Sequence, residues 1–501
     1  GGVLSVNADA RLGAVPASPV SNSLAFDGGT LRVTAGSQTI HANRGISVSS
    51  NGGTVDCSAL PDAGNNSVTL AGPISGSTSL QLDCNGDLSP SGGGSFTRMQ
   101  VTNAANTGFT GGFQIQSGLV EFAGQNAAGS GPITLSAGGG LISAAADYSL
   151  ANAITVSAGG GTLRCWGGRM LALTGELSGS GALTKTDSGT VVLTGANTDY
   201  SGTITIASGI LRVGNGGTTG GLGTAAVINN SGLRTLRTDS FTLENNVSGT
   251  GTIISDGTGT TTLTGALTST GVIGVSNGGT LVIKNASTNV GTTSLTGGDS
   301  NVTGSLQILA GNVNTRILNF NSGTSSISGG SITTIGQVRI GNTASPNAAT
   351  FNQTSGSVTV NNAATYLADQ NGTGTHNLSG GSYTQAGGTT YLIATRGTGT
   401  LNLSDTGQLN TSVLWFGHNS VSGISATVNL DGGVLQTNRI EKPGGVASSI
   451  FNFNGGTLRA GANNAYFLGG NNGSTAHTGI TRANIRRSEE HTSELQSPNT
   501  I

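Results

Sequence analysis

The chain has 501 residues, of which 87 are glycine and only 8 % are charged, and its formal net charge is −2. That balance supplies no basic field for nucleic acid or anionic lipid, and no stretch approaches the roughly 20 apolar residues of a membrane-spanning helix. Aromatics at 4 % are too few for a series of aromatic-rich globular cores, yet the 34 % of hydrophobic residues alternate with polar ones, which argues against a disordered chain.

Residues 1–70 read as worn copies of a short strand-and-turn unit. They open at Gly1 in strand-like sequence with neither an initiator Met nor a signal peptide, so the expectation is that the N-terminus is missing. Cys57 and Cys84 lie 27 residues apart, close to one repeat, and the third cysteine is Cys165. Two readings stand: a disulfide between stacked repeats, or two unpaired buried small residues. The run Asp83-Cys84-Asn85-Gly86-Asp87 has the look of a calcium loop but lacks the closing Glu, and reads as a polar turn.

Residues 71–300 carry a longer repeat. Its fullest copy is LSGSGALTKTDSGTVVLTGANTDYSGTITIASGILRV over 177–213. Asn106, Phe109, Gly118 and Leu119 anticipate Asn197, Tyr200, Gly209 and Ile210 at a constant offset of 91, and a looser copy begins at Val247. Apolar–polar alternation such as Ile204-Thr205-Ile206 is strand periodicity, and no run reads as a helix. A unit this short cannot bury its own apolar face. Stacking units, strand on equivalent strand, buries a continuous core.

The run 177–213 resembles the autotransporter-associated β-strand repeat, also called the passenger-associated transport repeat. Its pattern is matched by Leu177, Gly179, Gly181, Leu183, Lys185, Gly189, Leu193, Gly195, Asn197, Tyr200, Gly202, Ile206, Gly209, Leu211 and Val213. The resemblance implies a right-handed β-helical passenger on the surface of a Gram-negative-type bacterium, passing an outer membrane with the help of translocation machinery or a β-barrel that this sequence does not include. Lys185 is expected to cap a turn or to lie outward.

Residues 301–486 form the most regular array. The phrases FNQTSGSVTV, HNLSGGSYTQ, LNLSDTGQLN, VNLDGGVLQT and FNFNGGTLRA place Asn352, Asn377, Asn402, Asn429 and Asn452 at spacings of 25, 25, 27 and 23. The fold expected is therefore all-β, a right-handed parallel β-helix of about 25-residue coils. The recurring Asn fits either a hydrogen-bonded ladder or an outward residue tolerated beside a turn.

Chemistry-bearing clusters are sparse. The 22 Asp and Glu are dispersed, no Cys/His spacing suggests a metal, no motif calls for a cofactor, and Gly297-Gly298-Asp299 starts a calcium repeat and then departs from it. Trp415 with His418, and Arg164 with Trp166, are the candidate binding spots, as sugar-stacking or cation–π sites. Residues 487–501 change composition abruptly, and Arg487 to Ser497 match the in-frame translation of a common sequencing-library adapter, so they read as an artefact. The function expected is a non-catalytic exported surface rod, structural or adhesive, with surface glycans or like molecules as partners. The alternatives are a carbohydrate-active β-helix enzyme and a phage or extracellular-matrix fibre.

Overall fold

The structure, a computed structural model, describes residues 1–60, 66–85, 97–124, 126–285, 288–290, 300–342, 347–417, 423–443, 448–463, 467–468, 477–478 and 482–485. Among them every regular element is a β-strand except two single-turn 3₁₀ segments, Asp9–Leu12 and Asn106–Gly108. The adapter-like residues 487–501, His418 and the run 297–299 lie outside the described residues. The chain forms two compact units, one of Gly1–Asp239 with Leu243–Thr252, the other of Ser240–Thr242 with Ile253–Ile501. Each is a parallel β-solenoid.

In the first unit a coil holds three strands, as in Ile154–Val156, Gly161–Cys165 and Met170–Leu173. The next coil repeats them as Leu177–Gly179, Leu183–Thr186 and Thr190–Leu193, each pairing in parallel with its predecessor. Equivalent apolar positions therefore fall into rows. Leu171, Val191, Leu211 and Leu233 are successive register partners and are 1 % exposed or less. Each such side chain contributes on the order of 1.5–3 kcal/mol by leaving water, and a strand too short to be stable alone is held by the row it joins.

The second unit keeps the parallel stacking. Thr373–Leu378, Ser382–Ala386 and Thr390–Ile393 are followed by partners in Thr398–Leu403 and Gln408–Phe416. Along Thr373–Leu378 the inward and outward positions alternate strictly, the period-2 pattern of a strand with one wet face. The outward asparagines make the ladder: Nδ2 of Asn377, Asn402, Asn429 and Asn452 each donates to Oδ1 of the asparagine one coil back at 2.7 Å. Asn484 extends it to Asn452. Of the two readings of the recurring Asn, the ladder is the one found.

Cys57 and Cys84 are register partners on adjacent strands, Cα to Cα 4.6 Å, and they form a disulfide. Parallel neighbours at identical register bring the two Cβ atoms side by side, so of the two readings of this pair the disulfide is the one found. Cys165 is a free, buried thiol.

Candidate functional site

The densest assembly of polar side chains surrounds the repeat that begins near residue 177. Asn197 adopts a positive φ of 58° and is 1 % exposed. Its Oδ1 accepts from the Leu177 amide at 2.8 Å, and its Nδ2 donates to the Gly221 carbonyl at 2.7 Å, so one side chain ties the coil before to the coil after. The Asn197 amide in turn donates to Oε2 of Glu176 at 2.6 Å. Tyr200 is fully buried and donates through Oη to the Gly181 carbonyl at 2.8 Å. Burial pushes that phenol well above its ordinary range.

The motif glycines are spacers. A Cβ on Gly181 would sit 1.8 Å from the Ser157 carbonyl oxygen, and one on Gly202 would sit 1.9 Å from that of Gly181, so successive turns stack backbone on backbone. Gly179 and Gly209 take φ of 98° and 70°, which side-chain-bearing residues avoid. Gly195 abuts the Gly175 carbonyl.

Of the two expectations for Lys185, turn capping is the one found. It caps turns, but from inside rather than from the surface: it is 1 % exposed and shares its row with Leu163 and Ile206. Its Nζ donates to the carbonyls of Thr186, Asp187 and Ser208 at 2.5–2.9 Å. Burial pulls its pKa down to about 8, opposed by Cys165 and Asp187. Gly209 lies against that ammonium, where a Cβ would meet Nζ at 2.4 Å.

Arg164 also lies inside rather than at the surface. As a partner to Trp166 in a surface binding spot it would have to face solvent, but it is 2 % exposed and Nε donates to Oδ2 of Asp187 at 2.7 Å. Trp166, one strand position beyond Cys165, is 37 % exposed. Trp415 is half-buried at the end of Gln408–Phe416, in the outward row Tyr366–Leu392–Trp415–Glu441. Leu392 and Glu441 in that row are each 3 % exposed, so the row is covered along part of its length. Of the false calcium loop, Asp83 and Cys84 close a strand and Ser117 Oγ donates to Asp83, while Gly86 and Asp87 lie outside the described residues.

The motif does not mark the partners that complete these contacts, apart from Asn106, which the 91-residue offset from Asn197 marks. Asn106 repeats the Asn197 geometry, accepting from the Ile74 amide at 2.7 Å and donating to the Ala127 carbonyl at 2.8 Å. Asn152 donates to the Gly131 carbonyl at 2.7 Å and Asn245 to that of Ala225 at 2.8 Å. The four asparagines recur at 46, 45 and 48 residues, a signal present in the sequence at half the 91-residue offset. Buried Glu121 accepts from the amides of Ala144 and Ala145 at 2.9 and 2.7 Å and pairs with Arg98. Among the described residues no group of three or more His, Cys, Asp or Glu converges as a metal site.

Parallel strands stacked by register, turns plugged by buried Asn and Lys, and glycines at close backbone approaches define a repeat-built β-solenoid. Residues 183–213 match the family model of the passenger-associated-transport-repeat, and the chain carries that repeat. The matched span holds Lys185, Asn197, Tyr200, Gly202 and Gly209, whose work in this structure is to join coils. No curated protein and no solved structure matches the chain.

Proposed function

We propose that the chain is a non-catalytic exported passenger, a scaffold displayed at a bacterial cell surface. The observation that carries this reading is the passenger-associated transport repeat at 183–213, set within a parallel β-solenoid. Its family implies an exported, cell-surface context. In support, four carboxylates that one sequence might offer for catalysis are held in ion pairs: Asp56 with Arg32, Glu121 with Arg98, Asp187 with Arg164 and Glu441 with Arg439. A carboxylate whose oxygens are already engaged by a guanidinium is occupied, which suits load-bearing better than proton transfer. No helix among the described residues is long and apolar enough to cross a membrane, which leaves a β-barrel route open. Display of adhesive surface, with Trp166 and Trp415 as half-open aromatic faces, is the finer part of the proposal.

The test is antibody labelling and protease shaving of intact source cells. Surface signal removed by protease is the expected result. Signal only after lysis overturns the reading. Binding of the purified chain to immobilised surface glycans then separates an adhesive scaffold from a passive one.

A further inference from the structure

The second unit carries a titratable side chain that its packing does not require. His376 lies in an inward row beyond buried Ser325, and its neighbours there, Phe351, Leu401, Val428 and Phe451, are apolar. It is fully buried, and its ring stacks on Phe351 with centroids 5.1 Å apart. Its Nδ1 shares a hydrogen bond of 2.6 Å with Tyr391 Oη, and its Nε2 is buried with no hydrogen-bond partner. A Phe or Leu at this position would continue the row without stranding a polar atom.

The groups around it form a closed, uncharged cluster. Tyr383 lies 5.1 Å away ring to ring and bonds Thr365 Oγ1 at 2.7 Å. Gln385 Nε2 donates to Thr365 Oγ1 at 3.0 Å, and Thr411 Oγ1 donates to Gln385 Oε1 at 2.6 Å. The strands packed on His376 present Phe351, Leu401, Val338, Ile340, Thr365, Leu367, Tyr383 and Tyr391 inward. Arg339 and Tyr366 alternate to the outward side of their strands. Among the described residues Tyr383 and Tyr391 are thus the titratable groups facing the imidazole, burial holds both phenols neutral, and no carboxylate faces it to balance an imidazolium.

We infer that His376 is an acid-sensitive latch: neutral, it holds its coil closed through the bond to Tyr391, and protonated, it opens the coils around it. The protonated ring would place a charge in an apolar column with one acceptor and no counter-ion. Burial holds its pKa at about 3, so the folded unit resists protonation while the unfolded chain takes up a proton near 6.5. The stability this group provides is complete above pH 6.5 and is lost progressively as pH falls towards 3. The inference is independent of the export reading, since it concerns the core alone.

The experiment is urea unfolding of the full chain at pH 7.5 and pH 5, for wild type, His376→Phe and His376→Leu. The remaining histidines are shared by all three proteins, so their contributions cancel. The unfolding constant of the wild type is expected to rise on the order of 30-fold more than that of either variant between the two pH values. Parallel changes in all three overturn the latch. Should both variants fail to fold, exchange of the His376 C2 hydrogen in the folded wild type decides the matter. Titration well below 6.5 supports the latch, and titration near 6.5 overturns it.

Discussion

The two units solve one problem in different places. Stacked strands need their turns satisfied and their register fixed. The first unit does this with side chains driven into the interior: Asn106, Asn152, Asn197 and Asn245 bridge turns of neighbouring coils, and Lys185 gathers three carbonyls. The second unit relies more on a chain of asparagines along an outward face, Asn352 to Asn484, and holds inside it the His376–Tyr391 and Thr365–Gln385–Thr411 contacts and buried Gln353, whose Nε2 donates to the Gly356 and Ser382 carbonyls. The difference teaches that register can be set by plugs or by rails. Plugs are costly to remove because each leaves buried backbone groups unpaired. Rails are tolerant because water can replace a lost outward partner.

The comparison breaks first at its strongest plug. Arg164→Met leaves Asp187 buried without its guanidinium, and thermal unfolding should register a loss of about 4 kcal/mol. Adding Asp187→Asn should restore much of it. If the double variant is as unstable as the single one, the pair contributes more than charge neutralisation. Next in size, Asn197→Ala strands the Leu177 amide and the Gly221 carbonyl and should cost about 3 kcal/mol, with faster amide exchange at Leu177. Unchanged exchange there would show that the plug is dispensable.

Lys185 gives a pH test of the same idea. With a folded pKa of about 8 against 10.5 in the unfolded chain, the unfolded state holds more protons between those values. Stability should therefore rise with pH across that window, and Lys185→Met should flatten the rise in urea titrations. A slope that persists in the variant would place its source elsewhere. The smallest effect belongs to the rail. Asn402→Ala removes a donor and an acceptor from the ladder but leaves both neighbours at the surface, and should cost about 1 kcal/mol in the same unfolding assay. A cost equal to that of Asn197→Ala would erase the distinction between plug and rail.

What the sequence displayed was period and pattern. The Asn spacings of 23–27 residues gave the coil length and the register of the ladder, and the glycines of 179–209 marked turns that the structure indeed packs backbone to backbone. What it concealed were contacts that exist only once coils are stacked. Arg164 and Asp187 are 23 residues apart and have no local relation, and a charged residue in an alternating strand reads as outward by default. Lys185 stands in an inward row, but nothing nearby in sequence announces that Ser208 supplies a third carbonyl. Trp166 and Trp415 were legible as conspicuous aromatics, whereas the burial of Leu392 and Glu441 in Trp415's row was not. His376 was hidden because its row emerges only when the coils are laid in register.

The bond between Cys57 and Cys84 also serves as a timekeeper. The two cysteines are 0 % and 1 % exposed, and they meet only when their strands are aligned residue for residue. Oxidation during folding therefore records the moment at which these coils come into correct alignment. Reduction of the finished protein must wait for them to part, since a soluble thiol has no path to sulfurs enclosed by the stack. The rate at which a gentle reductant acts would thus report spontaneous openings of this one stretch of the solenoid.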